Sequence, residues 1–138
     1  MFFRKIKKEN KDENLIKIAA LLIHVAKIDE NFSDIEEKII KKTLVDMGAE
    51  KDALFSLIKN AKKIEENSNQ ILEFTKEIKS MNEKNKIKIL ETLWEVIYSN
   101  NEADMYETNL MRRLEGLLYI DNKTMANIKE KIKSKYLK

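Results

Sequence analysis

The chain has 138 residues, with 27 Lys plus Arg against 24 Asp plus Glu and a formal net charge of +3. Its length suits one domain, and 43% hydrophobic residues suffice for a buried core, which disfavours disorder. With two Gly and neither Pro nor Cys, it lacks the turns of a β-sandwich, a Gly-rich phosphate loop, disulfides and thiolate metal sites. No apolar run is long enough for a signal peptide or a membrane span, so we expect a cytoplasmic, all-α protein.

Apolar residues recur at helical spacing in seven segments. Residues 15–28 are apolar around nearly the whole circumference, which predicts a central, buried helix. Residues 35–47 have one apolar face and end at Gly48, a residue suited to a left-handed helix cap. The other apolar stripes lie in residues 54–61, 71–81, 87–98, 110–118 and 125–136. The pattern predicts a helical bundle over residues 13–138, preceded by a basic lead-in at residues 1–12.

Two stretches of the sequence match at an offset of 71 residues. Residues 29–36 read DENFSDIE and residues 100–107 read NNEADMYE, and apolar positions match on both sides. This pattern predicts two related helical units, residues 15–61 and 86–132, joined by a connecting region. Two copies are too few for a solenoid, so we expect one compact bundle with pseudo-twofold character.

An acidic turn precedes the second helix of each predicted unit. Ser33 and Asp104 suit the N-cap position, and Glu36 and Glu107 then fall at the third helical position. This spacing is that of a capping box, in which the two side chains accept hydrogen bonds from backbone N–H groups at the helix start. Capping is the main role that we expect for these residues.

The same turns also hold oxygen ligands for a divalent cation. The candidate ligands are Asp29, Asp34, Glu36, Asn100, Glu102, Asp104 and Glu107. Ca²⁺ and Mg²⁺ prefer carboxylate and amide oxygens, and Zn²⁺ also binds carboxylates. The turns do not follow the EF-hand pattern, because counting from Asp29 places its glycine at Asp34 and its bidentate glutamate at Ile40. No cofactor is required by the sequence, and cation binding is the alternative to capping alone.

The sequence resembles the TerB family at these residues. In the first unit, the resemblance rests on the buried helix, the turn from Asp29 to Ser33 and the outer helix with Glu36. The same arrangement is repeated after Leu93-Trp94, and the second outer helix contains Arg112-Arg113. It covers about residues 13–135. The resemblance implies an all-helical, duplicated domain with an acidic surface, linked to tellurite resistance and general stress resistance, and without enzymatic activity.

Both turns depart from the family pattern, which usually has Asp-Gly there. This chain has Asp29-Glu30 in the first turn and Asn100-Asn101 in the second. Asparagine enters the left-handed backbone region more readily than glutamate does.

The function implied by the resemblance is a non-enzymatic module that acts through the acidic surface at the two turns. The alternative is a sensor or buffer of divalent cations that uses the same turns.

The single histidine and the single tryptophan are expected to have packing roles. His24 lies in the predicted buried helix, where a lone histidine is more often packed or hydrogen-bonded than catalytic. Trp94 and Tyr98 are four residues apart on one predicted helix and are expected to be core aromatics. Since no nucleophile and base occur at a recognisable spacing, we expect no enzyme.

The charge distribution favours a protein or a cation as partner over nucleic acid. Residues 1–14 carry +2 and residues 122–138 carry +5, which leaves −4 for residues 15–121. The C-terminal lysines alternate at period two and so spread around a helix instead of forming one basic face. Arg112 and Arg113 are candidates for salt bridges to neighbouring turns or for contact with an anion or a partner. We expect a protein partner, no nucleic acid, and a solvated N-terminal tail in preference to membrane contact.

Overall fold

The part of the chain that the structure describes contains seven α-helices and no strand. This computed structural model describes residues 2–27, 33–67, 72–99 and 105–136. The helices are α1 (Phe2–Ala26), α2 (Asp34–Asp46), α3 (Leu54–Asn67), α4 (Leu72–Ile78), α5 (Glu83–Tyr98), α6 (Met105–Leu117) and α7 (Asn122–Tyr136), with a short 3₁₀ helix (Lys51–Ala53) before α3. The predicted all-α class is confirmed.

The second half of α1 lies at the centre of the bundle. Between Leu15 and Ala26 every apolar residue except Ile16 is at most 3% exposed. This helix contacts α2, α3, α4 and α5, so its apolar circumference is covered from several sides. The prediction of a central, buried helix is confirmed. The backbone of α1 already begins at Phe2, so the predicted lead-in is continuous with the core helix.

Helix α5 is the second core helix and packs against α1, α2 and α7. A buried hydrogen bond joins it to α2, with 2.7 Å between the hydroxyl oxygens of Thr43 and Thr92. The Thr92 hydroxyl donates to the Lys88 carbonyl at 2.9 Å, so Thr43 is the donor in the pair. Two polar side chains thereby enter the core without leaving a hydroxyl unpaired.

Two helices end in the same capping motif at positions 71 residues apart. After α2, Gly48 has φ 110°, and the N–H of Ala49 donates to the Leu44 carbonyl at 2.9 Å. After α6, Tyr119 has φ 57°, and the N–H of Ile120 donates to the Glu115 carbonyl at 3.0 Å. Both are Schellman motifs, which confirms the predicted cap at Gly48 and adds a second cap that lacks the usual glycine.

Burial also follows the 71-residue offset at several pairs of positions. The pairs in which both residues are buried include Ile18 with Ile89, Leu22 with Leu93, Glu36 with Glu107, Ile40 with Met111, Leu57 with Ile128 and Ala61 with Ile132. The helix pairs also correspond, because α1 packs on α3 in the first predicted unit and α5 packs on α7 in the second. These correspondences fit a duplication of residues 15–61 in residues 86–132, which stays a prediction.

Two described apolar residues of the predicted stripes are more than half exposed. Ile35 is 61% exposed and Phe55 is 80% exposed. Phe55 lies off the buried face of α3 that Leu57, Ile58 and Ala61 form, and Ile35 likewise lies off the buried face of α2. An apolar residue next to a stripe is thus not always part of it, and isolated exposed apolar side chains are ordinary on protein surfaces.

The two capping motifs predict unequal sensitivity to alanine. Gly48→Ala is expected to lower the free energy of unfolding by about 1 kcal/mol or more, because a side chain is strained at positive φ. The matched control is Tyr119→Ala, which keeps the same backbone strain and removes an exposed ring whose contacts with the Lys79 and Lys86 ammonium groups are at the surface, so we expect less than about half of that loss. Urea unfolding of both variants measures the difference, and equal losses would contradict the strain at Gly48.

Candidate functional site

The first acidic turn ends in a complete capping box at the start of α2. Ser33 is the N-cap residue, with extended backbone at φ −80° and ψ 162°. The backbone N–H of Glu36 donates to the Ser33 hydroxyl at 3.2 Å, and the N–H of Ser33 donates to Glu36 Oε1 at 2.9 Å. Each side chain therefore satisfies a backbone donor that the helix leaves open, and the predicted capping box is confirmed.

The carboxylates of this first turn differ in accessibility. Glu36 is only 1% exposed, whereas Asp34 is exposed. Glu37 is half-buried and faces two lysines, with its carboxylate oxygens 3.6 Å from Lys62 Nζ and 3.9 Å from Lys41 Nζ. Among the described carboxylates of this turn, Asp34 is therefore the one most open to a partner.

The second turn repeats the buried glutamate. Helix α6 begins at Met105, so Glu107 is its third residue, and it is 3% exposed. This is the position that Glu36 occupies in α2, and both glutamates are buried. The remaining candidate ligands, Asp29, Asn100, Glu102 and Asp104, lie outside the described residues, as does the predicted N-cap role of Asp104. Within the described ranges no group of three His, Asp or Glu side chains could hold a metal ion.

A buried carboxylate that the sequence did not single out joins α1 to α3. The side chain of Glu65 is 9% exposed and lies between two basic groups of α1. Lys27 Nζ donates to its Oε2 at 2.7 Å, and its Oε1 is 3.3 Å from His24 Nδ1. His24 also lies beside Phe74, with 6.3 Å between the ring centroids. The expectation that His24 is hydrogen-bonded and packed is confirmed.

One signal in the sequence could have revealed Glu65. It follows Ala61 by four residues, so it continues the apolar stripe of α3 at a position where another apolar residue is expected. A charged residue on a buried face needs a partner of opposite charge, because an unpaired buried charge is costly. The partners come from α1, about forty residues away in sequence, and local periodicity does not identify them.

Both arginines of α6 are exposed. Neither Arg112 nor Arg113 has an ion pair with Glu115 or another described carboxylate. Arg112 lines a cavity between α6 and α7, whereas Arg113 does not line it.

The prediction of core aromatics is confirmed. Trp94 and Tyr98 are 2% and 4% exposed, and their rings stack with 5.8 Å between the centroids.

Comparison with known proteins identifies the family. The family model described as "Tellurite resistance protein TerB" matches residues 15–130. The chain belongs to the TerB family. The match runs from α1 into α7, and TerB is an all-α domain, in agreement with the seven helices described. No curated protein and no solved structure matches the chain. Among the described helices of this TerB-family protein, none is long and apolar enough to cross a membrane.

Neutralising Glu65 is expected to destabilise the fold. Glu65→Gln keeps the size of the side chain but removes the charge opposite Lys27, so we expect the free energy of unfolding to fall by about 1–2 kcal/mol. The matched control is Glu66→Gln, because Glu66 is exposed, and it should change stability by less than about 0.5 kcal/mol. Equal stabilities of the two variants in chemical unfolding would show that the buried cluster contributes nothing.

Proposed function

We propose that this TerB-family chain is a non-enzymatic module of tellurite resistance and the stress response that acts through the acidic surface at its two turns. The family match over residues 15–130 is the observation that carries this proposal. It is supported by the composition of the chain, which places negative charge on the helical body between basic ends. It is supported too by His24, which is engaged with a buried glutamate.

The geometry of the first turn favours a protein partner over a metal ion. Glu36 is buried and accepts a hydrogen bond from the backbone, so its carboxylate serves the fold. The start of a helix carries partial positive charge, which opposes a cation there. Of the candidate ligands that the structure describes, Asp34 alone is exposed, and a single carboxylate suits an ion pair with a basic side chain better than a metal centre.

Survival of cells on tellurite tests the proposal. A strain that lacks this gene is complemented with the wild-type chain or with the turn variant, Asp29→Asn, Asp34→Asn and Glu102→Gln. We expect wild type to restore growth and the turn variant to leave the strain as sensitive as the deletion. The matched control, Asp52→Asn, Glu66→Gln and Glu130→Gln, removes the same charge from exposed positions elsewhere and should restore growth.

Two outcomes contradict the proposal in this experiment. If the deletion leaves tellurite sensitivity unchanged, the chain has no role in resistance under that condition. If the turn variant protects as well as wild type, the acidic surface is not the acting surface. Thermal unfolding of each purified variant verifies that the substitutions leave the helical bundle folded.

Binding of a divalent cation to the same turns is the alternative function. Isothermal calorimetry with CaCl₂, MgCl₂ and ZnCl₂ distinguishes the two, because sensor sites bind Ca²⁺ with dissociation constants of about 0.1–10 μM and weaker sites with about 0.1–1 mM. We expect no saturable heat from any of the three salts at concentrations up to about 1 mM. Saturable heat that the turn variant abolishes would instead establish a cation site.

A further inference from the structure

A cavity of about 180 Å³ opens between α5, α6 and α7. Trp94, Met111 and Met125 supply its apolar wall. Arg112, Glu115 and Lys129 supply its charged groups, so two cations face one carboxylate and positive charge is in excess. The uncharged polar side chains at the cavity are Thr108 and Asn122. Of the acidic-turn candidates that the structure describes, Asp34, Glu36 and Glu107, none lines it.

Trp94, which lines this cavity, also carries an unused hydrogen-bond donor. Its Nε1 is the one buried side-chain nitrogen or oxygen among the described residues that has no hydrogen-bond partner. Buried polar groups in folded proteins are nearly always paired, so this unpaired N–H is unusual, but the atom is buried and the ring, not the N–H, forms the wall. The ring itself is held firmly, because it stacks on Tyr98 and Lys129 Nζ lies 5.3 Å from its centroid.

The two cations at the cavity are also free of ion pairs with described carboxylates. On α7, Lys131 and Lys135 pair with Glu91 and Glu95 of α5, whereas Lys129 lies against the tryptophan ring. Arg112 is exposed and likewise has no carboxylate partner in the part of the chain that the structure describes. The guanidinium of Arg112 and the ammonium of Lys129 therefore outnumber the one carboxylate at the cavity, that of Glu115.

We propose that this cavity binds a small organic carboxylate. The carboxylate oxygens accept hydrogen bonds from Arg112, while Lys129 adds positive charge. The apolar body of the ligand contacts Trp94 and the two methionines. A cavity of about 150 Å³ accommodates benzene, so the observed volume suits a molecule of the size of benzoate. An extended peptide exceeds that volume, which favours a free small molecule.

Trp94 provides the readout for a direct test. It is the only tryptophan of the chain, so fluorescence excited selectively at tryptophan, apart from the four tyrosines, reports on the residue that lines this cavity. Titration with sodium benzoate is expected to change the emission of Trp94 in a saturable manner. Benzamide has the same ring without the negative charge and should bind at least about tenfold more weakly. Equal binding of the two probes would overturn the proposal in favour of an apolar cavity without anion selectivity, as would the lack of any saturable change with benzoate.

Four variants test the assigned residues. Arg112→Gln and Lys129→Gln are each expected to raise the dissociation constant of benzoate about tenfold. Glu115→Gln removes the opposing carboxylate and should lower that constant severalfold. Arg113→Gln is the matched control, because Arg113 is adjacent and exposed but does not line the cavity, and it should leave the affinity within about twofold of wild type.

The control separates a site from a general effect of charge. If Arg113→Gln weakens benzoate binding as much as Arg112→Gln does, the net charge of the surface explains the binding and the assignment is wrong. If Glu115→Gln weakens binding instead of strengthening it, the charged lining has been misassigned. Circular dichroism and the thermal midpoint of each variant show whether the helices remain folded, so that loss of binding is not read from an unfolded chain.

Discussion

The burial of α1 is the constraint on which the rest of the structure depends. From Leu15 to Ala26 this helix is apolar nearly all round, so no face of it can be left in water without a large cost. The chain must therefore return several times to cover it, and α2, α3, α4 and α5 all do so. Helix α1 ends at Ala26, and Ser33 and Glu36 stabilise the start of α2, the first of the helices that cover it.

Burial also decides which carboxylates serve the fold. A count of acidic residues in the sequence suggests a cluster of ligands, but Glu36 and Glu65 are each committed to a hydrogen bond or an ion pair inside the bundle. Burying a carboxylate without a partner is unfavourable, so such side chains are strongly held and poorly available to ligands. The negative charge that a partner can contact is therefore carried by exposed carboxylates such as Asp34.

The sequence predicts those parts of the fold that depend on local spacing. The capping box at Ser33 and Glu36 and the cap at Gly48 involve residues within one or two turns of each other, and all are observed. Glu65 and the cavity beside Arg112 were missed, because each depends on helices that meet only after the chain has folded. The left-handed cap at Tyr119 was missed for a different reason, since local rules expect glycine or asparagine at such a cap and do not predict tyrosine there.

The predicted duplication gives a physical reason for a cavity in the second unit. At the 71-residue offset, Glu115 corresponds to Leu44 and Lys129 to Ile58, both of which are buried apolar residues in the first unit. Trp94 corresponds to Ile23, which is fully buried and carries no polar atom in its side chain. Where the first unit has buried aliphatic side chains, the second has two half-buried charged groups and an indole N–H. Long charged side chains pack their stems against apolar surface and keep their charged ends near solvent, so a cavity can open between α6 and α7 where these positions fall.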